Sequence, residues 1–316
     1  MTAKKRLAVV AVGGNALDQG GSPSIAGQAA AAREAMRHIA AMVAGNWSVV
    51  VTHGNGPQIG YLLRRVELAL SELHSVPLDV CGADTQGATG YLFVRELSGE
   101  LLRLGICNRP VCLITQTVVD PADPAFAQPT KPIGSFMTAE AAARHAADDG
   151  WQVVEDAGRG WRRVVASPKP VKVVEAGAVR ELLRLGHVVI ACGGGGIPVA
   201  QGADGELTGI EAVIDKDRAS ALLGGEIGAE LLVIPTAVRQ VALAYGTPQQ
   251  QDLDRITLAQ AEQFLAEGQF AEGSMKPKIE AAVDFLRRGG QRVVITTPNL
   301  ITAAIEGRDG TTICHS

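Results

Sequence analysis

Apolar and polar positions follow two rhythms along this chain. Short runs rich in β-branched residues occur at Leu7 to Val12, Ser48 to Thr52, Val111 to Thr115, His187 to Cys192, Leu231 to Ile234 and Arg292 to Thr296. They lack the alternation of a strand with one wet face and predict strands buried on both sides. Between most of them the spacing is helical, as in Ala26 to Val43, Ala83 to Leu104, Glu175 to Leu185, Glu211 to Leu223 and Met275 to Arg288. Strand alternating with helix predicts a mainly parallel sheet covered by helices.

One stretch, about 120–170, breaks this rhythm. It opens with a proline-rich, loop-like segment (Pro121, Pro124, Pro129, Pro132), continues with an alanine-rich helical piece from Thr138 to Asp148, and ends in two alternating runs, Trp151 to Glu155 and Trp161 to Ala166. The link Asp156 to Gly160 between those runs has hairpin chemistry. The segment reads as a small inserted subdomain.

Composition narrows the picture. Of the 316 residues, 47% are apolar and 20% charged, which excludes disorder on the scale of the chain. A formal net charge of −4 gives no broad basic field for nucleic acid or an anionic membrane, so any anion site is focal. No apolar stretch approaches the roughly 18 residues of a membrane span, and the basic start Met1 to Arg6 runs into no signal-peptide pattern. Together with five cysteines that form no Cys-x-x-Cys pair or zinc spacing, this points to a cytoplasmic protein with neither a disulfide framework nor a structural metal.

The candidate chemistry sits behind the strands. Gly13-Gly14-Asn15, His53-Gly54-Asn55-Gly56, Gly193 to Gly196 and Thr297-Pro298-Asn299 each follow a predicted strand. In open α/β sheets the ligand crevice lies at those carboxyl ends, where free amides and helix dipoles attract anions. Taken singly, each loop is better explained as a tight turn, with Asn15 and Asn55 in left-handed positions and His53 bonding its own turn. Their repetition at one end of successive strands favours a ligand. No Gly-Lys-Ser/Thr occurs, and Gly54-x-Gly56-x-x-x-Gly60 lacks dinucleotide spacing, so neither common nucleotide motif applies. Lys131, Lys216, Lys276 and Lys278 stand beside glycine, proline or acids at element boundaries rather than on mixed-charge helix faces.

The set Gly13-Gly14-Asn15-Ala16-Leu17, Thr52 to Gln58, Lys131-Pro132-Ile133-Gly134, Ser167-Pro168-Lys169-Pro170, Gly193 to Pro198, Glu211 to Asp217 and Gly273-Ser274-Met275 resembles the carbamate kinases of the amino acid kinase family, in the family's order and over essentially the whole chain. The resemblance implies a three-layer αβα sandwich around a mainly parallel sheet with a small inserted subdomain. It implies an acceptor half at about 1–185, a nucleotide half at about 186–316, and usually a homodimer. The reaction implied is reversible phosphoryl transfer between ATP and carbamate, giving ADP and carbamoyl phosphate. Carried over by motif, Gly13, Gly14, Asn15, Gly54, Asn55 and Gly56 would hold carbamate and the moving phosphoryl group. Lys131, Lys216, Asp217 and Lys278 would be catalytic, and Gly195, Gly196, Lys216, Met275 and Lys278 would meet the nucleotide. Mg²⁺ would travel with the nucleotide and need few protein ligands.

Two departures qualify this. Where the family usually has Thr-Asp, a further acid and a tyrosine beside the adenosine, this chain has Pro235 to Ala242, with Ala237, Arg239 and Ala242 in place of the acids and the tyrosine. Lys276 stands where glycine is usual. Three readings follow: a carbamate kinase-like enzyme, a silent relative that binds carbamoyl phosphate or another small anion, and a family kinase acting on a different carboxylate. The retained lysines favour an enzyme, because like charges repel unless an anion joins them.

Overall fold

A computed structural model describes residues 5–14, 24–156, 158 and 160–316. The chain opens with β1 (Arg6–Val12), α1 (Ile25–Ala44), β2 (Trp47–His53), α2 (Gly56–Ala69), α3 (Leu78–Arg103) and β3 (Pro110–Cys112). Next come β4 (Gln116–Val119), α4 (Pro124–Ala127), β5 (Lys131–Met137), α5 (Ala139–Asp148), β6 (Gln152–Glu155), β7 (Trp161–Val165) and β8 (Pro170–Val173). The return through the sheet uses α6 (Ala176–Arg184), β9 (Val188–Ile190), β10 (Ile197–Gln201), β11 (Leu207–Gly209), α7 (Lys216–Ile227) and β12 (Leu231–Pro235). The chain closes with β13 (Val241–Leu243), β14 (Gln251–Leu253), β15 (Arg255–Thr257), α8 (Leu258–Ala266), α9 (Met275–Arg287), β16 (Arg292–Thr296), α10 (Ile301–Ile305) and β17 (Thr311–Cys314).

The central sheet runs β15-β17-β16-β12-β1-β2-β9-β3 and is parallel except where β16 meets β17. Its strands are apolar on both faces because both faces are covered. Val9, Val50, Val189 and Leu232 pack on α6, α7 and α9, while their neighbours Ala8, Val10, Val49, Val51 and Val233 pack on α1, α3 and α10. Each valine or leucine among them contributes about 1.5–3 kcal/mol of burial, and the resulting three layers are those the strand–helix rhythm predicts. Among the described residues, no helix is long and apolar enough to cross a membrane.

All six predicted strands form, five of them with shifted ends. The run expected as one strand over Val111 to Thr115 ends at Cys112, and the chain then crosses to a second sheet of order β11-β10-β4-β8. The helix expected from Glu211 begins only at Lys216, because the Asp215 carboxylate accepts from the amides of Asp217 and Arg218 at 2.9 and 3.2 Å and fixes the start there.

Within 120–170 the expected helix and two strands are present, and the proline-rich segment holds a third strand, β5. The sheet order is β5-β7-β6, with Pro132 opposite Val164 on the edge strand, where a missing amide costs no ladder bond. This sheet rests on the body through a small core of Ile133 and Val165 with Ile59, Leu78 and Val213.

Candidate active site

The carboxyl ends of β1, β2 and β12 open into a cleft of about 610 Å³, roofed by the start of β5 and bordered by the first turns of α2, α7 and α9. At its floor the loops after β1 and β2 touch backbone to backbone. A Cβ on Gly54 would lie 2.8 Å from the Gly14 amide nitrogen, so only glycine permits this approach. Gly13 and Gly56 face open space.

Two helix starts at the cleft lack side-chain caps. Asn55 precedes α2, yet its amide group donates to Thr85 Oγ1 at 2.9 Å instead of capping the helix. Ser274 likewise makes no cap bond to α9. At α2 the first-turn amides are therefore left for an anion, with the helix dipole behind them, whereas at α9 the Lys276 amide already donates to the Ala271 carbonyl at 3.1 Å and Pro277 has none to offer. Asn55 has φ −138°, so it does not occupy the left-handed turn position that its residue type allows.

Above these amides lies an array of three lysines and two aspartates. Asp217, its side chain only 3% exposed, has Lys216 Nζ 2.8 Å from Oδ1 as an ion pair and accepts a 2.8 Å hydrogen bond from Lys278 Nζ on Oδ2. Lys216 also donates to the Ala11 carbonyl at 2.6 Å, which ties it to the end of β1. From the other side, Lys131 donates to the Ile214 carbonyl at 3.3 Å and to Asp215 Oδ2 at 3.4 Å. Burial pushes the Lys216 ammonium below its ordinary lysine range despite the attraction of Asp217. Lys278 is also disfavoured by burial, but the Asp217 carboxylate outweighs this and raises it. For Asp215, burial opposes ionisation, yet Lys131, the Arg218 amide and the other two lysines hold its carboxyl well below the usual range.

The structure thus brings together Gly13, Gly14, Gly54, Asn55, Gly56, Lys131, Lys216, Asp217 and Lys278 around one cleft. Asn15 lies outside the described residues. Gly194, not Gly195 or Gly196, borders the cleft; Gly195 packs against Ile214 and Gly196 against Thr117, which places both behind the wall. Met275 packs into the apolar core rather than the cleft. His53 is buried, with Nδ1 3.1 Å from the Gly54 carbonyl and its ring edge-on to Phe93. Burial pushes it down to about 4, so it is neutral at pH 7.

The departures also find places. Ala237 borders the cleft with Thr236 and Pro298, whereas Ala242 is buried in β13 and Arg239 pairs with Asp309 at 2.6 Å. Lys276 is held by Glu272 at 2.6 Å, away from the cleft lining. Motif reading missed Asp215, although a lone aspartate two residues before a helical lysine-aspartate pair is a legible helix-cap signal.

A cleft at the carboxyl ends of a parallel sheet, with uncapped amides below and ammonium groups above, defines a phosphotransferase site of the α/β type. The sequence profile of the amino acid kinase family matches residues 6–297, and the chain belongs to that family, within its carbamate kinase branch. It is 47% identical to the carbamate kinase-like protein YahI of Escherichia coli, across 98% of this chain and 99% of that one. The carbamate kinase of Pyrococcus horikoshii is 44% identical, across 96% and 98%. Among solved structures, carbamate kinase from Giardia lamblia bound to AMP-PNP superposes with a TM-score of 0.92 at 36% identity, covering 100% of both chains.

Proposed function

We propose that this protein transfers a phosphoryl group reversibly between ATP and carbamate, giving ADP and carbamoyl phosphate. The observation that carries the reading is the Lys216–Asp217–Lys278 array facing the uncapped amides of α2 across one cleft. Carbamate reaches the site with its nucleophilic oxygen already ionised, so Asp217 acts as an orienting anion and not as a base. That oxygen forms the new bond to the γ-phosphorus as the bond to the β–γ bridging oxygen breaks, and ADP leaves with the electron pair. Charge on the transferred group's oxygens is met by Lys216, Lys278 and the amides of Gly13, Gly14, Asn55 and Gly56, while Lys131 closes from β5 and the Gly54 amide stays on the Val12 carbonyl at 2.9 Å.

Among the described residues no cluster of three or more histidine, cysteine or acidic side chains could hold a metal ion. The two cleft carboxylates are engaged by lysines. This donor set fits Mg²⁺ carried on the nucleotide's phosphates, where it neutralises their charge. We place the acceptor in the half 1–185, the nucleotide in 186–316 with Gly194, Thr236 and Ala237 near its phosphates and sugar, and infer a cytoplasmic homodimer. Small Ala237 in the wall weakens the hold on the nucleoside without touching the phosphate apparatus.

The test is ATP formation from carbamoyl phosphate and Mg-ADP by the purified protein, with GDP beside ADP. Turnover is expected, and the Lys278→Ala variant should lose at least about a hundredfold in kcat, the scale of one oxyanion-type donor. Absent turnover with calorimetric binding of carbamoyl phosphate intact would make the protein a binding relative.

A further inference from the structure

Between α2 and the β5–β7–β6 sheet lies a second cavity of about 300 Å³. That is the lower end of the range for small-molecule sites, about 300–1,000 Å³. It is separate from the catalytic cleft but shares the residue Ile133 with it. Arg64 enters from α2, Arg144 from α5 and Arg163 from β7, against one lining carboxylate, Glu67, which Arg64 already engages at 3.0 Å. Arg163 reaches Glu211 only at 3.8 Å and lies over the Trp151 ring at 4.9 Å. Arg144 is exposed and has no ion pair or hydrogen bond among the described residues. The opposite wall is fixed, because His145 stacks on Trp151 at 4.3 Å and is itself held by Asp149 at 2.6 Å.

Two guanidinium groups that converge from different elements without full partners match a ligand with at least two anionic groups, since the planar fork pairs with carboxylate and phosphate alike. We propose that this cavity is a second anion site that takes a small polyanion bearing carboxylate or phosphate groups and, by tying α2 to α5 and β7, holds β5 and Lys131 over the catalytic cleft. The mechanical link is close at hand. A Cβ on Gly60 would lie 3.0 Å from Gly134 Cα, so α2 and β5 touch without side chains between them, three residues from Lys131. A ligand spanning that contact favours the closed arrangement by its differential affinity for it.

Titration calorimetry with tricarballylate and with inorganic phosphate tests the site independently of turnover and tells the two anionic groups apart. Binding of at least one probe should persist in Lys278→Ala and weaken at least about tenfold in Arg144→Glu, a change at an exposed, unpaired position that leaves folding intact. No binding of either probe, or binding lost in Lys278→Ala, overturns the proposal, because the anion would then belong to the catalytic cleft. Adding the bound probe should lower KM for carbamoyl phosphate in the wild type and leave it unchanged in Arg144→Glu. An unchanged or raised wild-type KM overturns the link to Lys131.

Discussion

Asp217 keeps two buried ammonium groups charged, and its removal has a consequence beyond lost geometry. In Asp217→Asn, burial acts on Lys216 and Lys278 without the carboxylate that opposes it. Both lysines then lose their protons at lower pH, so the alkaline limb of the kcat profile should move to lower pH than in the wild type. An unmoved limb would show that these lysines do not depend on Asp217 for their charge. His53 gives a stability counterpart. Its folded value of about 4 lies below the unfolded 6.5, so between those values the unfolded chain binds a proton that the folded chain refuses. The stability difference is fully present above pH 6.5 and is lost as pH falls toward 4, by about 3 kcal/mol. Urea unfolding at several pH values should show the wild type losing more stability on acidification than His53→Gln. A difference between them that is constant with pH would mean that His53 stays accessible to protons when folded.

Asp215 joins two roles at the start of α7, and two substitutions separate them. Asp215→Asn can still cap the helix but no longer pairs with Lys131, so its thermal midpoint should stay near that of the wild type while KM for carbamoyl phosphate rises. Asp215→Ala loses the cap as well and should be less stable by about 1 kcal/mol. Equal stabilities would show that the cap bonds seen at 2.9 and 3.2 Å carry no net weight. The same helix shows what was legible in the chain and what was not. Strands buried on both faces announced themselves through unbroken apolar runs such as Ala8 to Val12, because tertiary burial leaves them no polar side. Glu211 to Asp215 looked helical by spacing yet stays irregular, since a capping side chain rather than periodicity decides where a helix begins. β5 was hidden for a related reason: Pro132 is a poor strand former except on an edge, and an edge is a property of the sheet that a one-dimensional reading lacks. At the site, glycine clusters and boundary lysines identified the cleft, but not which glycine of the Gly193 to Gly196 loop meets it, because that depends on how Thr117 and Ile214 pack behind.

Lys131 is carried by a unit that touches the body through few apolar side chains, Ile133 and Val165 against Ile59, Leu78 and Val213, whereas Lys216 and Lys278 belong to helices of the main core. Hydrogen exchange should register this difference. Mg-ADP with carbamoyl phosphate should slow exchange in β5 and β7 and leave β1, β2 and β12 unchanged, while uniform protection would mean that the whole chain stiffens together. The array itself carries three ammonium groups against two carboxylates, so it holds nearly its own complement of counter-ions before any phosphate arrives. In the proposed reaction a phosphoryl group entering the cleft would compete with Asp217 and Asp215 for the lysines, and on its departure the two carboxylates would take the lysines back. Product would then be exchanged rather than torn away, with neither direction of the reaction trapped. A protein built in this manner works as a two-way valve between a nucleotide pool and an acyl phosphate pool, with the direction of flow left to their concentrations.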